Sequence, residues 1–334
     1  MQTRGYHGEI RREVELHPVL IEIGGTPIIH TFGVMVLLGV MLGLFVIKRD
    51  APRVGLDPEE LVSLSVEVFL AGLIGSRMFF VFHNWDMYSA PEVEWWQPFN
   101  IRSGGLVWYG GMLAGLPVAF WRAKAYRMPL LKVCDVLAGP VILGLAIGRI
   151  GCLMAGDDHG RIAEEATWYT LTFTDPKALM DPDYLGKPLL PSQPLMFLGC
   201  MIVFGILHAL RRPLQHKPGA VAALLFVLYP IHRFLIEFTR GDKVRGRLAE
   251  DVPLLGGMST SQAISVPMVI LGLIVFAYML WRPVSPEELA APAPKPSPEP
   301  ADGDSGPTPP AASSSTPTPP ATPADASALD EPKA

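Results

Sequence analysis

The sequence predicts an all-α integral membrane protein with seven transmembrane helices, its N-terminus outside and its C-terminus cytoplasmic. Three observations lead there. The 334 residues are 49% hydrophobic and only 18% charged, with a mean hydropathy of +0.31, which is too apolar for an ordinary soluble domain of this length. Seven stretches approach the roughly twenty apolar residues a helix needs to cross the hydrocarbon layer. The links between those stretches alternate between basic and acidic along the chain.

Taken in order, residues 1–27 mix acids and bases (Arg4, Glu9, Arg11, Arg12, Glu13, Glu15) and hold no apolar core before Ile28, so they read as an N-terminal periplasmic segment and not as a cleaved signal. The apolar stretches lie at about 28–47, 61–82, 105–121, 131–154, 193–210, 219–238 and 262–281. Lipid offers no partner to a free N–H or C=O, so each is expected to be a helix. Lys48, Arg49 and Arg53 follow the first span. Arg122, Lys124, Arg127 and Lys132 separate the third from the fourth, and Arg211, Arg212 and Lys217 the fifth from the sixth. These links share one side, which the positive-inside rule assigns to the cytoplasm. The opposite links carry Asp86, Glu92 and Glu94, then Asp157, Asp158, Glu164, Glu165, Asp175, Asp181 and Asp183.

One outer link departs from the rule. RGDKVRGR at 240–247 carries Arg240, Lys243, Arg245 and Arg247. It reads either as a solvated loop near lipid headgroups, or a misassigned side, or as a site for an anionic group. The spans from 28 to 282 make one domain. Residues 283–334 are dominated by Pro, Ala, Ser and Thr and are expected to be a disordered cytoplasmic tail. Gly39-x-x-x-Gly43, Gly111-x-x-x-Gly115 and Gly144-x-x-x-Gly148 are small-residue pairs that let helices approach closely in lipid.

A formal net charge of -5 argues against a nucleic-acid partner. The spacing of Cys134, Cys152 and Cys200 fits neither a disulfide framework nor a zinc site. Cys134 and Cys200 read as packing thiols, while the role of Cys152 stays open. His30, His83, His159, His208 and His232 show no metal-ligand spacing, and neither a metal nor another cofactor is expected.

Ionisable groups within a span are costly and mark sites. Here they are Glu67, Arg77, Asp135, Arg149, Arg233 and Glu237, with Arg240 at a span end. The spacing of Arg233, Glu237 and Arg240 puts them on one helical face, where Glu237 offsets one charge as a structural ion pair. Glu67 and Asp135 are available to Arg77 and Arg149, although both lie nearer the opposite ends of their helices. The outer halves of the second, fourth and sixth spans thus gather arginines in excess of acids. Guanidinium is shaped for bidentate phosphate binding, so an anionic phospholipid headgroup is the expected ligand.

Six blocks then agree in order with one family. HPVLIEIGGTPIIHTFG enters the first span with Phe32-Gly33, and GSRMFFVFHN carries Arg77. SGGLVWYGGMLAG stands where the family usually has His-Gly-Gly, and GRIGCLMAGDDHGR where it has Gly-Arg-x-Gly-Asn-Phe-x-Asn-Gly-Glu-x-x-Gly. PSQP opens the fifth span, and RFLIEFTR closes the sixth. Over about residues 17–282 the chain resembles prolipoprotein diacylglyceryl transferase, a bacterial inner-membrane enzyme. The resemblance implies transfer of the diacylglyceryl group of phosphatidylglycerol to the thiol of a lipobox cysteine in a prolipoprotein signal peptide, forming a thioether and releasing glycerol phosphate.

The resemblance assigns Arg149 and Arg240 to the phosphate, with Arg77, Arg233, Gly110, Gly111, Gly160, Phe32 and Cys152 around the bound lipid. The departures are specific. Tyr109 replaces the His before Gly110-Gly111, Cys152 and Ala155 replace two Asn, Asp157 replaces Glu, and Pro194-Leu195-Met196 replaces Leu-Tyr-Glu. They bring the chain nearest a minority branch with Tyr-Gly-Gly. Tyr109 is a poor base near neutrality and is expected to orient the headgroup, while His159 or Asp157 helps to activate the thiol. As a bare aromatic, Tyr109 also reads as an interfacial residue beside Trp108, and His159 as an exposed loop histidine. Two rival readings stand beside the transferase: a catalytically impaired paralogue that keeps the lipid pocket, and an unrelated seven-helix transporter, for which no inverted repeat is visible.

Overall fold

The computed structural model describes residues 13–14, 17–23, 26–90, 92–101, 104–241 and 258–289, all within one unit, Met1–Pro292. Lys243, Arg245 and Arg247, and almost all of the Pro-rich tail, lie outside the described residues.

The chain is mostly helical: α1 (Thr31–Asp50), α2 (Pro58–His83), the single turn α3 (Trp85–Tyr88), α4 (Trp108–Ala125), α5 (Leu130–Ala155), α6 (Ser192–Leu210), α7 (Ala220–Ile236), α8 (Thr260–Trp281) and the short α9 (Pro286–Leu289). Among the described residues six helices are long and apolar enough to cross a membrane, namely α1, α2, α5, α6, α7 and α8. The chain is thus a multi-pass membrane protein. The expected count of seven meets an exception in α4: its 18 residues begin at Trp108-Tyr109 and carry Arg122 and Lys124 in the last turn. Large apolar side chains such as Phe45, Ile74, Phe82, Leu116, Ile274 and Trp281 face outward, as hydrocarbon-facing surfaces require.

Helix ends follow local chemistry. Asp57 caps α2 by accepting from the backbone N–H of Glu59 (2.8 Å) and Glu60 (3.1 Å), with Pro58 at the first helical position. Ser259 and Gln262 form a reciprocal capping box on α8. Gly156 closes α5 in the left-handed conformation, at φ 70°.

Close helix contacts occur where side chains are absent. α1 crosses α5 at Gly39, where an added Cβ would meet the Gly144 carbonyl at 3.0 Å. α2 crosses α4 at Gly75, where it would fall 2.6 Å from the Gly110 oxygen.

Outside the spans the helical fold carries a few short strands. Residues expected to begin the first span instead complete an antiparallel hairpin, β2 (Val19–Ile23) with β3 (Thr26–His30), and α1 starts only at Thr31. Further along, β4 (Leu171–Phe173) pairs in parallel with β1 (Glu13–Val14) and antiparallel with β5 (Pro188–Leu189). This loop between α5 and α6 has its own core of Phe173, Met180, Tyr184 and Leu189. Phe173 and Leu189 are fully buried, each worth about 2 kcal/mol of apolar transfer. The small core holds the end of α5 against the start of α6.

Candidate active site

Three segments distant in sequence meet at that loop. Gly160 pairs antiparallel with Arg240. Arg161 donates its backbone N–H to Thr239 O (2.9 Å), and Gly241 donates to His159 O (3.3 Å). The start of α6 completes the corner: Ser192 Oγ donates to Thr239 O at 2.8 Å, and Gln193 Nε2 donates to Asp157 O at 2.8 Å. Gly160 is required sterically, since an added Cβ would lie 2.1 Å from the Leu190 carbonyl oxygen. The signature after α5, the PSQ motif and the late arginine block are therefore one construction.

Its product is a shared carboxylate. Asp158 Oδ2 accepts from Arg149 Nη1, and Asp158 Oδ1 accepts from Arg240 Nη2. Asp158 has φ 55°, left-handed backbone that a non-glycine residue adopts only when its surroundings enforce it. Arg240 is buried, and its Nη1 lies 3.4 Å from Met196 Sδ. Where the resemblance leads one to expect a Glu, the chain thus offers a thioether, and the carboxylate comes from Asp158 instead. Cys152, also buried, has its sulfur 3.7 Å from both Arg149 Nη1 and Asp158 Oδ2. Arg149 Nε is buried with no hydrogen-bond partner among the described residues. A buried cationic N–H left unmet is costly unless something else takes it.

The helical-face argument for Arg240 is corrected. α7 ends at Ile236, Glu237–Thr239 tighten into a 3-10 turn, and Arg240 is extended at φ -78°, ψ 147°. Arg240 therefore leaves the α7 face and reaches Asp158. Arg233 stays on the helix, with Nη1 2.6 Å from Glu237 Oε2 and Nη2 donating to Ser261 on α8 (2.8 Å).

Arg77 is placed apart from this corner. Its five N–H donors all find protein acceptors: Nε to Pro98 O (2.6 Å), Nη1 to Gly104 O (2.7 Å) and Gly105 O (3.3 Å), and Nη2 to Gln97 O (3.1 Å) and Tyr88 Oη (3.2 Å). The expected excess of arginine over acid is also redistributed. Glu67 binds Arg122, and Asp135 caps α7 by accepting from Gly219 N (2.7 Å) and Ala222 N (2.8 Å), so neither serves Arg77 or Arg149.

The remaining candidates divide as follows. His159 is buried, not exposed: its Nδ1 lies 2.9 Å from Gly160 O, and its ring is 4.2 Å from that of Tyr184. Asp157 is exposed, with Oδ1 accepting from Asp158 N at 2.7 Å. Tyr109 is exposed at the start of α4, edge-on to Trp108 at 5.4 Å. Gly110 and Gly111 pack α4 on α2; a Cβ on Gly111 would lie 2.5 Å from Ser76 Oγ. Phe32 packs on Gly151, one residue before Cys152. The sequence reading missed Ser192, Gln193 and Tyr184, whose Oη donates to Gly241 O at 2.8 Å. PSQP was its signal for the first two, and Tyr184 had none.

Comparison with known proteins bears on this corner. A family model described as prolipoprotein diacylglyceryl transferase matches residues 18–278. A phosphatidylglycerol–prolipoprotein diacylglyceryl transferase of Vibrio campbellii (strain ATCC BAA-1116) is 31% identical over 283 residues, covering 83% of this chain and 95% of the relative. The protein of the same name from Proteus mirabilis (strain HI4320) is 29% identical over 285 residues, covering 80% and 92%. That from Streptococcus agalactiae serotype Ia is 28% identical over 267 residues, covering 79% and 96%. The matched region takes in α1 through most of α8, and with it every segment of the corner, so the chain belongs to the prolipoprotein diacylglyceryl transferase family.

Proposed function

We propose that the chain transfers the diacylglyceryl group of phosphatidylglycerol to the thiol of a prolipoprotein's lipobox cysteine, in the inner membrane of a bacterium. The observation that carries this reading is the single carboxylate held between Arg149 and Arg240. Two converging guanidiniums form an oxyanion seat, and Asp158 fills it as a phosphate would. The donor phosphate displaces Asp158 and takes the unmet Arg149 N–H as well.

The reaction forms a bond from the cysteine sulfur to the glyceryl carbon and breaks that carbon's bond to the phosphate oxygen. Glycerol phosphate leaves with that oxygen and its electron pair. Charge grows on the phosphate as the bond breaks, and fixed guanidiniums in a site poor in water stabilise it. The thiol must lose its proton to attack. Asp157, exposed at the edge of the loop, receives that proton. His159, turned onto Tyr184, holds the loop in register, and Tyr109 contacts the headgroup from α4. Phe32, Cys152, Gly110, Gly111 and Gly160 line or shape the lipid's place, with Arg233 and Arg77 supporting it from outside.

In this reading α4 is the seventh span, since it lies along α2 through the Gly75–Gly110 approach. Lys48 and Arg49 end α1, Arg122 and Lys124 end α4, and Arg211 follows α6, which supports a reading with these ends in the cytoplasm and the N-terminus outside. Residues 1–27 are then periplasmic, 28–282 the transferase, and 283–334 a cytoplasmic tail.

The test is transfer of labelled diacylglyceryl from phosphatidylglycerol to a lipobox peptide by the purified chain. A thioether-linked product, absent when the cysteine is replaced by serine, is expected. Binding of the lipid with no transfer would replace this reading with that of an impaired relative.

A further inference from the structure

Lys132 and Arg149 lie on the same helix, α5, about 25 Å apart at 1.5 Å per residue. The Lys132 end has a cleft of its own, partly open to solvent.

Four cations line it: Arg53 after α1, Lys132 on α5, and Arg211 and Arg212 after α6. Two carboxylates face them. Asp50 pairs with Arg53 and, at 3.2 Å, with Arg211. Asp135 is committed to the backbone N–H groups that open α7. The lining is therefore positive by two formal charges.

Topology alone asks only that basic residues sit at this end of the helices. Lys48 is what that looks like, with its side chain 62% exposed. Lys132 is only 5% exposed and donates to Val54 O and Leu289 O, each at 3.2 Å. The Arg211 side chain is 18% exposed. Lys132 and Arg211 have thus given up water to face the cleft, and burial lowers the Arg211 pKa from its ordinary value, while Arg53 and Arg212 stay exposed at its mouth.

The floor differs from the rim. Val46, Gly139 and Leu207 each lie one turn deeper in their helices than Asp50, Asp135 and Arg211, and Pro140 lies beside them. A soluble anion needs only the charged rim. A lipid uses both, with phosphate at the rim and the start of an acyl chain on the floor.

We propose that this cleft seats the phosphodiester headgroup of an anionic phospholipid from the leaflet at this end of the bundle, a second lipid site separate from Arg149 and Arg240. Basic pockets between helices are suited to such headgroups.

The experiment uses the full chain in phosphatidylcholine nanodiscs doped with phosphatidylglycerol, with lipid retention counted by native mass spectrometry. The Arg149 site contributes equally throughout, so the difference between proteins is what is read. The double variant Arg53→Gln, Arg212→Gln is expected to weaken retention of one phosphatidylglycerol about tenfold or more. The charge-keeping Arg53→Lys, Arg212→Lys protein is expected to retain it, which separates charge from misfolding. Transfer activity at saturating donor is expected to be unchanged, so failure here is distinct from failure of the transferase reading. Equal retention by wild type and the Gln variant overturns the proposal. Binding of inorganic phosphate as tightly as lipid, lost in the Gln variant, also overturns it by assigning the cleft to a soluble anion.

Discussion

Asp158 reaches Arg240 across 82 positions of sequence, and it does so from a left-handed backbone conformation at φ 55°. The same carboxylate also serves Arg149, so one counter-ion is shared by two cations drawn out of water. Replacing it with Asn keeps the shape and removes the charge. Removing one partner from a buried charge pair costs about 3 kcal/mol, so Asp158→Asn is expected to melt earlier in detergent. Added phosphatidylglycerol is expected to restore more stability to the variant than to wild type, because the lipid phosphate takes the vacated place. Thermal melts with and without that lipid check this.

The arginines themselves are not interchangeable with lysine. Arg149 meets Asp158 and the Cys152 sulfur through Nη1 and keeps Nε–H for a ligand, and a point charge cannot reproduce that planar array of donors. Arg149→Lys and Arg240→Lys are each expected to lower the transfer rate about 100-fold or more, the scale on which loss of one oxyanion donor acts. Labelled-lipid transfer at several donor concentrations measures it. A rate unaffected by both changes would remove the phosphate assignment.

Gly160→Ala places a methyl 2.1 Å from the Leu190 carbonyl, a contact with backbone that cannot turn aside. The segment must move, and with it the pairing that fixes Arg240. A cost of about 2 kcal/mol is expected, as for overpacking elsewhere, together with loss of transfer. Gly148→Ala is the matched control, since nothing lies within 4 Å of its added Cβ. It is expected to be neutral or slightly stabilising, because Ala is the better helix former. Melting temperature and transfer rate report on both.

Arg77→Gln removes a group whose five donors tie Gln97, Pro98, Gly104, Gly105 and Tyr88 to α2. The expected result is faster backbone hydrogen exchange across 97–105, and a loss of about 3 kcal/mol from buried charged hydrogen bonds. The donor concentration for half-maximal rate is expected to stay the same. A large rise in that concentration would restore Arg77 to the lipid.

The helices were legible because lipid permits few alternatives to long apolar runs. The boundaries of α2, α5, α6 and α8 lie within a few residues of those runs. The first span starts later than its apolar run because TPIIH, as apolar as a helix start, pairs with Val19–Ile23 instead. The candidate site was legible in Arg149 and Arg240, whose guanidiniums fit anion binding, and in the PSQ motif, whose place in the order matched the family. Asp158 was passed over, because neither its neighbours nor the motif fixes its role. That role exists only once the segment around Arg240 lies beside it. His159 looked like a loop residue because nothing local announces Tyr184 as its cover.

The knot of 157–161, 192–193 and 239–241 also sets a timetable. A ribosome delivers Arg149 to the membrane well before it delivers Arg240, and until Thr239 arrives, Ser192 and Arg161 have nothing to grip. A nascent chain shorter than this therefore holds half a pocket, and the enzyme comes alive only when α7 and the turn that follows it have been threaded.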